Sequence, residues 1–100
     1  MDVERRTHLC LAAQQALLGY VTPNLRAFSV EEDGKTIRTL AVFGQPPSDQ
    51  EIELIQFAGT ELISHYFDSM IDERVEVTGA PRPPHLAHMV YQRYEPGDGI

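Results

Sequence analysis

Two histidines separated by two residues, His85 and His88, form the most metal-like pattern in this chain of 100 residues. A zinc site needs about four ligands held in place by supporting residues, and no cysteine pair or nearby carboxylate completes the set. The surrounding segment APRPPHLAH is rich in proline, which predicts an extended loop. We interpret both histidines as surface or turn residues and expect no metal or other cofactor. A small enzyme that uses one of them is kept as an alternative.

The chain also contains the residue types of a thiol nucleophile and its base. His8 or His65 could activate Cys10, but Cys10 lies one position from the apolar stripe of a predicted helix, which suits a small buried hydrophobic group. No GxGxxG, Walker, GxSxG or HExxH motif occurs in the sequence. We therefore predict that the protein is not an enzyme. The single cysteine excludes an internal disulfide and fits a reducing compartment.

Paired acids are concentrated in the middle of the chain. The net charge is −7, and residues 31–76 hold eleven acids against three bases, or −8, so the flanking segments sum to +1. The pairs Glu31–Glu32 and Asp72–Glu73 resemble general acid–base pairs in residue type, but a solvated charged surface is the simpler interpretation. Phosphate backbones bind through lysine and arginine. The distribution therefore argues against nucleic-acid binding and favours a basic protein partner.

Three arginines, Arg26, Arg38 and Arg93, fall on three different predicted strands. Arg26 could extend beside Phe28 or pair with an acid of a neighbouring strand. Alternatively, the three arginines could share one exposed functional face of the sheet. The sequence leaves both interpretations open.

Two amphipathic segments predict helices. The first covers residues 2–19, with Asp2 as its N-cap and Gly19 at its C-terminal end. The second begins with a capping box formed by Ser48 and Glu51 and ends near residue 67 or 68. The residues predicted to face the core are Leu9, Ala12, Ala13, Ala16 and Leu17 in the first helix and Ile52, Ile55, Gly59, Leu62, Ile63 and Tyr66 in the second.

Four further segments, residues 25–32, 35–44, 73–79 and 88–95, predict strands, and Asp33-Gly34 predicts a hairpin turn between the first two. The predicted fold is α+β with the order α-β-β-α-β-β. We expect a two-layer sandwich in which a mostly antiparallel four-stranded sheet carries two helices on one face.

Both faces of the first strand contain apolar residues. Simple alternation divides its side chains into two sets: Arg26, Phe28 and Val30 on one face, and Leu25, Ala27 and Ser29 on the other. The core side therefore cannot be chosen from alternation. A sheet of this kind should be covered on both faces, by helices on one and by a subunit or partner on the other.

The chain is the size of one domain, which we expect over residues 1–95, followed by a flexible tail over residues 96–100. No segment approaches the roughly 20 apolar residues of a membrane span. The charged start MDVERR does not resemble a signal peptide. We therefore expect a cytoplasmic protein with no membrane partner.

The stretches QQALLGYVTPNLRAFSVE, GQPPSDQEIELI, TELISHYF and VYQRYE together resemble a family of small acidic bacterial proteins. In that family a LLG…PNLRA start and a closing VY-R-E recur. Some members are encoded beside toxin genes as candidate immunity proteins of contact-dependent inhibition or related polymorphic toxin systems. The resemblance covers most of the chain and implies an immunity role, but it assigns no site residues.

Charge and resemblance together predict a non-enzymatic immunity protein that binds a basic toxin domain, of nuclease type, by direct association. The acids predicted to contact this partner are Glu31, Glu32 and Asp33 at the hairpin tip, Asp49 and Glu53 at the start of the second helix, and Asp72 and Glu73 near the third strand. Glu51 is assigned to the helix cap. The alternative is a self-associating accessory protein that forms a homodimer through an apolar sheet face.

Overall fold

A computed structural model describes residues 3–95 of the chain. The element order is the predicted one: α1 (Val3–Leu17), β1 (Leu25–Asp33), β2 (Thr36–Phe43), α2 (Asp49–Ile63), β3 (Met70–Val77) and β4 (His88–Gln92). The α+β class is therefore confirmed. The predicted cap at Asp2 and the predicted tail over residues 96–100 lie outside the described residues.

The four strands form one mixed sheet in the order β3-β2-β1-β4. β1 pairs antiparallel with β2, as the predicted hairpin requires, and also with β4, whereas β2 and β3 are parallel. The sheet predicted to be mostly antiparallel is thus mixed, with two antiparallel pairs and one parallel pair. The reason lies in the connection: α2 carries the chain back to the end of the sheet where β2 began, so β3 runs in the direction of β2.

The helices bury their apolar stripes against one face of the sheet. All five predicted core residues of α1 are buried, and α2 buries Ile55, Ala58, Gly59 and Leu62. Their main partners in the sheet are Phe28, Val30, Ile37, Ala41 and Phe43. Ile52 and Ile63, predicted to lie in the same stripe, are only partly buried. The small residues of α1 allow the helix to approach the sheet closely.

Local turn and cap signals are also confirmed. The Ser48 side chain accepts from the Glu51 amide, and the Glu51 carboxylate accepts from the Ser48 amide, which completes the capping box of α2. Gly34 in the β1–β2 turn has φ +62° and Gly19 after α1 has φ +87°. Both values lie in the left-handed region that glycine adopts without steric cost.

The opposite face of the sheet, called here the outer face, is covered by the chain itself. Ala27, Leu40 and Val42 are buried beneath Leu86 and Met89, which belong to the segment between β3 and β4 and to β4. This part of the sheet is not open to a second subunit, so the predicted covering by a subunit or partner is wrong here. A proline-rich segment can cover a sheet without adding a strand, because it has few amide donors to satisfy.

A register shift between Leu25 and Ala27 breaks the alternation of β1. Leu25 consequently joins Phe28 in the core beneath the helices, while Ala27 belongs to the outer cluster. The predicted division of β1 into two faces is therefore wrong at its start. A bulge inserts one extra residue into the strand, and this reverses the side-chain direction on either side of it.

Candidate functional site

The exposed surface of α2 carries a row of four side chains spaced four residues apart: Asp49, Glu53, Phe57 and Glu61. This spacing places the members of a helix row on one face. All four are exposed, and α2 contains no lysine or arginine. We call these four residues the acidic row.

An aromatic pair lies within the acidic row. The ring of Tyr20, which follows α1, is 6.1 Å from the ring of Phe57, and the Tyr20 hydroxyl donates to Glu61 Oε1 at 2.8 Å. The hydrogen bond to Glu61 raises the pKa of Tyr20 above its ordinary value. Phe57 is 47% exposed although it is large and apolar. The loop after α1 therefore holds an aromatic surface between the carboxylates of Glu53 and Glu61.

The three acids of this row are exposed to solvent. Asp49, Glu53 and Glu61 form no ion pair with any residue in the described range 3–95. Asp49 has a local reason to be acidic, since it lies at the positive end of the helix dipole. Glu61 lies near the negative end, where an acid is locally unfavourable. Helix stability therefore does not explain Glu61.

Three of the predicted partner-binding acids converge on one arginine on the outer face. Arg38 lies 3.3 Å from Glu31, 3.0 Å from Asp33 and 3.7 Å from Asp72. The hydrogen bond from Arg38 to Asp33 is the largest cause of a raised pKa of Arg38. Asp72 also pairs with Arg74 at 3.3 Å. We call Arg38 and its three acids the Arg38 cluster; each of its carboxylates lies within ion-pair distance of Arg38, but one arginine shared by three acids leaves the cluster net negative.

Two other predicted acids point into the molecule. Glu32 receives a bidentate contact from Arg5 of α1, at 2.6 and 2.5 Å, and its side chain is 7% exposed. The carboxyl group of Glu73 lies against Gly59 of α2, in the place that a Cβ at Gly59 would occupy. Burial of this carboxyl raises the pKa of Glu73, although the residue as a whole remains exposed. Neither side chain is well placed to meet a partner.

The seven predicted acids therefore do not form one surface. The Arg38 cluster lies on the outer face, Glu32 and Glu73 contact the helices, and only Asp49 and Glu53 lie on the exposed side of the helix layer. Sequence reasoning missed Phe57, Glu61 and Tyr20. A signal was present, because Phe57 is out of phase with the buried stripe of α2 and so places a large apolar residue on the polar face.

The three arginines separate into two groups. Arg26 is 3% exposed and contacts both carboxylate oxygens of Glu95 at 2.8 Å, while its NH1 group donates to the Thr78 carbonyl at 2.7 Å. Arg93 contacts the same carboxylate at 3.0 Å. Hydrogen bonds from Arg26, with a smaller contribution from Arg93, lower the pKa of Glu95 to about 2. We call Arg26, Arg93 and Glu95 the Arg26 cluster; it ties the end of the described chain to β1.

The histidine and cysteine candidates do not assemble into a reactive site. His85 Nδ1 lies 2.6 Å from the Leu86 carbonyl oxygen, and His8 Nδ1 lies 2.8 Å from the Tyr66 hydroxyl. Between residues 3 and 95, no hydrogen bond joins Cys10 to a histidine and no group of three potential metal ligands is found. The geometry therefore offers binding surfaces and no assembled nucleophile–base pair.

An apolar groove of about 330 Å³ lies between the end of α1 and β4. Its lining consists of Gln14, Leu17, Leu18, Gly19, Val21, Val90 and Tyr91. Tyr91 is the one titratable residue among these seven, so the groove has no acid–base pair of its own.

None of the helices within residues 3–95 has the length and apolar character needed to cross a membrane. A search of curated proteins finds no match to the chain. A family model described as MafI2 immunity protein matches residues 6–95, which includes every helix and strand described above except the first turn of α1. On this evidence the chain belongs to the MafI2 immunity protein family, and its role is that of an immunity protein with a toxin as partner.

Proposed function

We propose that this immunity protein neutralises a basic, nuclease-type toxin domain by direct association, and that the acidic row of α2 is its main contact surface. One observation carries the proposal: the acids of the row form no ion pair with any residue of the described chain. Carboxylates in this state attract an external cation over distances comparable to the Debye length.

The charge of the row suits a protein that grips nucleic acid. A nuclease domain needs lysine and arginine to bind phosphates. A surface with fixed carboxylates competes for the same cationic groups, so one contact would both hold the toxin and block its substrate. The acids of the Arg38 cluster are weaker candidates, since each of them already pairs with Arg38 and Asp72 also pairs with Arg74.

The aromatic pair can supply binding energy that the charges alone do not. Charge complementarity mainly accelerates encounter, whereas buried aromatic residues near the centre of an interface supply much of the binding energy. Phe57 is exposed between Glu53 and Glu61 and is supported by Tyr20. The row therefore has the arrangement of an interface centre, with an apolar anchor inside a polar rim.

The test compares two charge reversals of equal size. Glu53→Lys with Glu61→Lys changes the acidic row, and Glu31→Lys with Asp33→Lys changes the Arg38 cluster by the same net charge. Association with the cognate toxin domain is followed by stopped-flow fluorescence at low and high salt. The first variant should slow association by about tenfold or more, and the second by much less.

A third variant, Phe57→Ala, tests whether the aromatic ring holds the complex together, a role distinct from that of the charges, which accelerate association. It should leave the association rate nearly unchanged and accelerate dissociation. Thermal melts of all variants establish that each is folded. Equal effects of the two charge reversals, or a complex that is insensitive to the acidic row, would show that α2 is not the contact surface.

The nuclease assignment has its own measurement. The toxin domain alone should degrade nucleic acid, and heparin, as a polyanion, should compete with the immunity protein for it. A toxin that binds the acidic row without cleaving nucleic acid would refute the nuclease assignment and leave the direct association intact.

A further inference from the structure

Among the described residues 3–95, β3 forms the longer unpaired edge of the sheet. β3 is an end strand of the order β3-β2-β1-β4, and it spans Met70–Val77 without a register shift against β2. β4, at the other edge, is shorter and has a register shift against β1. Short length and bulges are devices that keep an edge from pairing with another chain. The β4 edge has both of them and the β3 edge has neither.

The backbone groups of β3 that face outward can be identified from its bonds to the hairpin. The amides of Met70 and Thr78 donate to carbonyls at Lys35 and Phe43, so the even-numbered residues direct their backbone groups towards β2. Successive residues of a strand alternate in this respect. The N–H and C=O groups of the odd-numbered residues, with Val75 near the middle of the strand, therefore point away from the sheet.

Three exposed apolar side chains lie along this edge, beside four charged ones. Met70 is 72% exposed, Val75 is 41% exposed and Val77 is 46% exposed. Val75 and Val77 lie on the helix side, because their partners in β2 are the core residues Ala41 and Phe43. The strand also contains no proline and no lysine, two residue types that commonly prevent edge pairing.

We propose that two copies of this chain associate edge to edge through β3, antiparallel, with Val75 of one copy opposite Val75 of the other. The two sheets then become one continuous sheet with the helices of both copies on the same side. This inference is independent of the toxin contact, which uses α2.

The register follows from the charges of β3. In a two-fold symmetric antiparallel pair, helix-side residues lie opposite helix-side residues only when the axis passes between one residue and the same residue of the second copy. The possible registers therefore differ in which residue lies at the axis. A register centred on Asp72, Glu73 or Arg74 places that charged side chain opposite its own copy. A register centred on Val75 places no like charges opposite each other, and it brings Arg74 of each copy opposite Glu76 of the other.

The backbone geometry agrees with this register. Val75, whose N–H and C=O point outward, becomes a hydrogen-bonded pair with its own copy. Arg74 and Glu76 then form non-hydrogen-bonded pairs, in which the Cα atoms approach to about 4.5 Å and opposite charges interact most closely. Arg74 is well exposed, with 63% of its side chain accessible, so it can reach across to the second copy.

A charge exchange across the two-fold axis tests the register. Arg74→Glu alone should oppose acid to acid, and Glu76→Arg alone should oppose base to base. Each variant should raise the dimer dissociation constant by about tenfold or more in sedimentation equilibrium, since two cross-strand pairs change sign. An equimolar mixture of the two variants restores both attractive pairs, so a heterodimer should appear in native mass spectrometry.

A proline variant tests the backbone part of the proposal. Val75→Pro removes an amide that points outward and leaves the ladder with β2 intact. It should abolish the dimer while the protein keeps its fold by circular dichroism. Glu53→Arg, a charge change of the same size as Glu76→Arg but on α2, is the control and should dimerise like the wild type. A wild-type chain that stays monomeric at all concentrations, or variants that do not recover on mixing, would overturn the proposal.

Discussion

The Arg26 cluster and the Arg38 cluster have the same chemistry and different surroundings. In the first, one carboxylate, Glu95, is shared by two arginines, and Arg26 is 3% exposed. In the second, three carboxylates share Arg38, whose side chain is 29% exposed. The first is rich in positive charge and covered by the chain, whereas the second is rich in negative charge and open to water.

This contrast indicates that burial, more than the number of ion pairs, decides how much an arginine contributes to the free energy of unfolding. A buried guanidinium that loses its partner is left without hydration, which costs several kcal/mol, whereas exposed pairs are screened and contribute little. The Arg26 cluster therefore maintains the fold by joining β1 to Thr78 and Glu95. The Arg38 cluster contributes little to stability, so its residues can be substituted with little loss of stability.

The largest effect is expected for Arg26→Ala. It removes both bonds to Glu95 and the bond to the Thr78 carbonyl, and it should lower the free energy of unfolding by about 3–5 kcal/mol. Urea denaturation followed by circular dichroism measures the loss. The double variant Arg26→Met with Glu95→Met removes both charges and should recover part of it; no recovery would assign the loss to packing alone.

Glu95→Gln should produce the next largest effect and change the response to acid. It replaces charge-assisted bonds by neutral ones, a loss of about 1.5–3 kcal/mol at neutral pH. The pKa of Glu95 is about 2 in the folded protein and ordinarily 4.5. The unfolded chain therefore takes up a proton first as the pH falls.

The stability that Glu95 contributes is consequently complete above about pH 4.5 and is lost as the pH falls towards 2. Urea midpoints across this range should decline more steeply in the wild type than in the Glu95→Gln variant. Parallel curves would show that Glu95 keeps an ordinary pKa and is not held by the arginines.

Arg93→Ala should destabilise the protein less than Arg26→Ala and more than Arg38→Gln. The Arg93 side chain is 34% exposed, and its guanidinium donates to Glu95 at 3.0 Å and to the Pro23 carbonyl at 2.6 Å. Loss of two bonds of this kind should cost about 1–2 kcal/mol. A cost equal to that of Arg26→Ala would mean that exposure does not separate the two arginines.

Arg38→Gln should have the smallest effect on stability, because its pairs are exposed and screened by water. It should also make the outer face more negative. If that face contributes to toxin binding, the variant will associate faster than the wild type; an unchanged rate is expected when the acidic row of α2 is the contact surface.

Features that depend on neighbouring residues were predictable. The buried stripe of α1, the capping box at Ser48 and the glycine turn at Gly34 were all predicted, because each depends on the spacing of residues within a few positions. Glu95 as the partner of Arg26 was not, since 69 positions separate them in the sequence. The bulge at Leu25 was missed for a related reason: it depends on the pairing with β2 and cannot be detected in the order of residue types along the sequence.

The candidate site divides in the same way. The excess of acids was evident from composition, and Asp49 and Glu53 were among the acids named; the basic character of the partner stays a prediction. The sequence did not show that Arg5 and Arg38 neutralise Glu32 and Asp33, because ion pairing depends on which elements become neighbours. It also did not show that Tyr20 supports Phe57, which makes an exposed aromatic ring part of a surface.

The order of elements, the helix stripes, the acidic centre of the chain and membership of a small immunity family were determined by the sequence itself, since periodicity, composition and motif order are properties of the linear chain. The tertiary structure decided which acids remain unpaired, which face of the sheet the chain covers and which edge stays open. These depend on contacts between distant residues, and a charge acquires its energetic value only when its neighbours and its exposure to water are known.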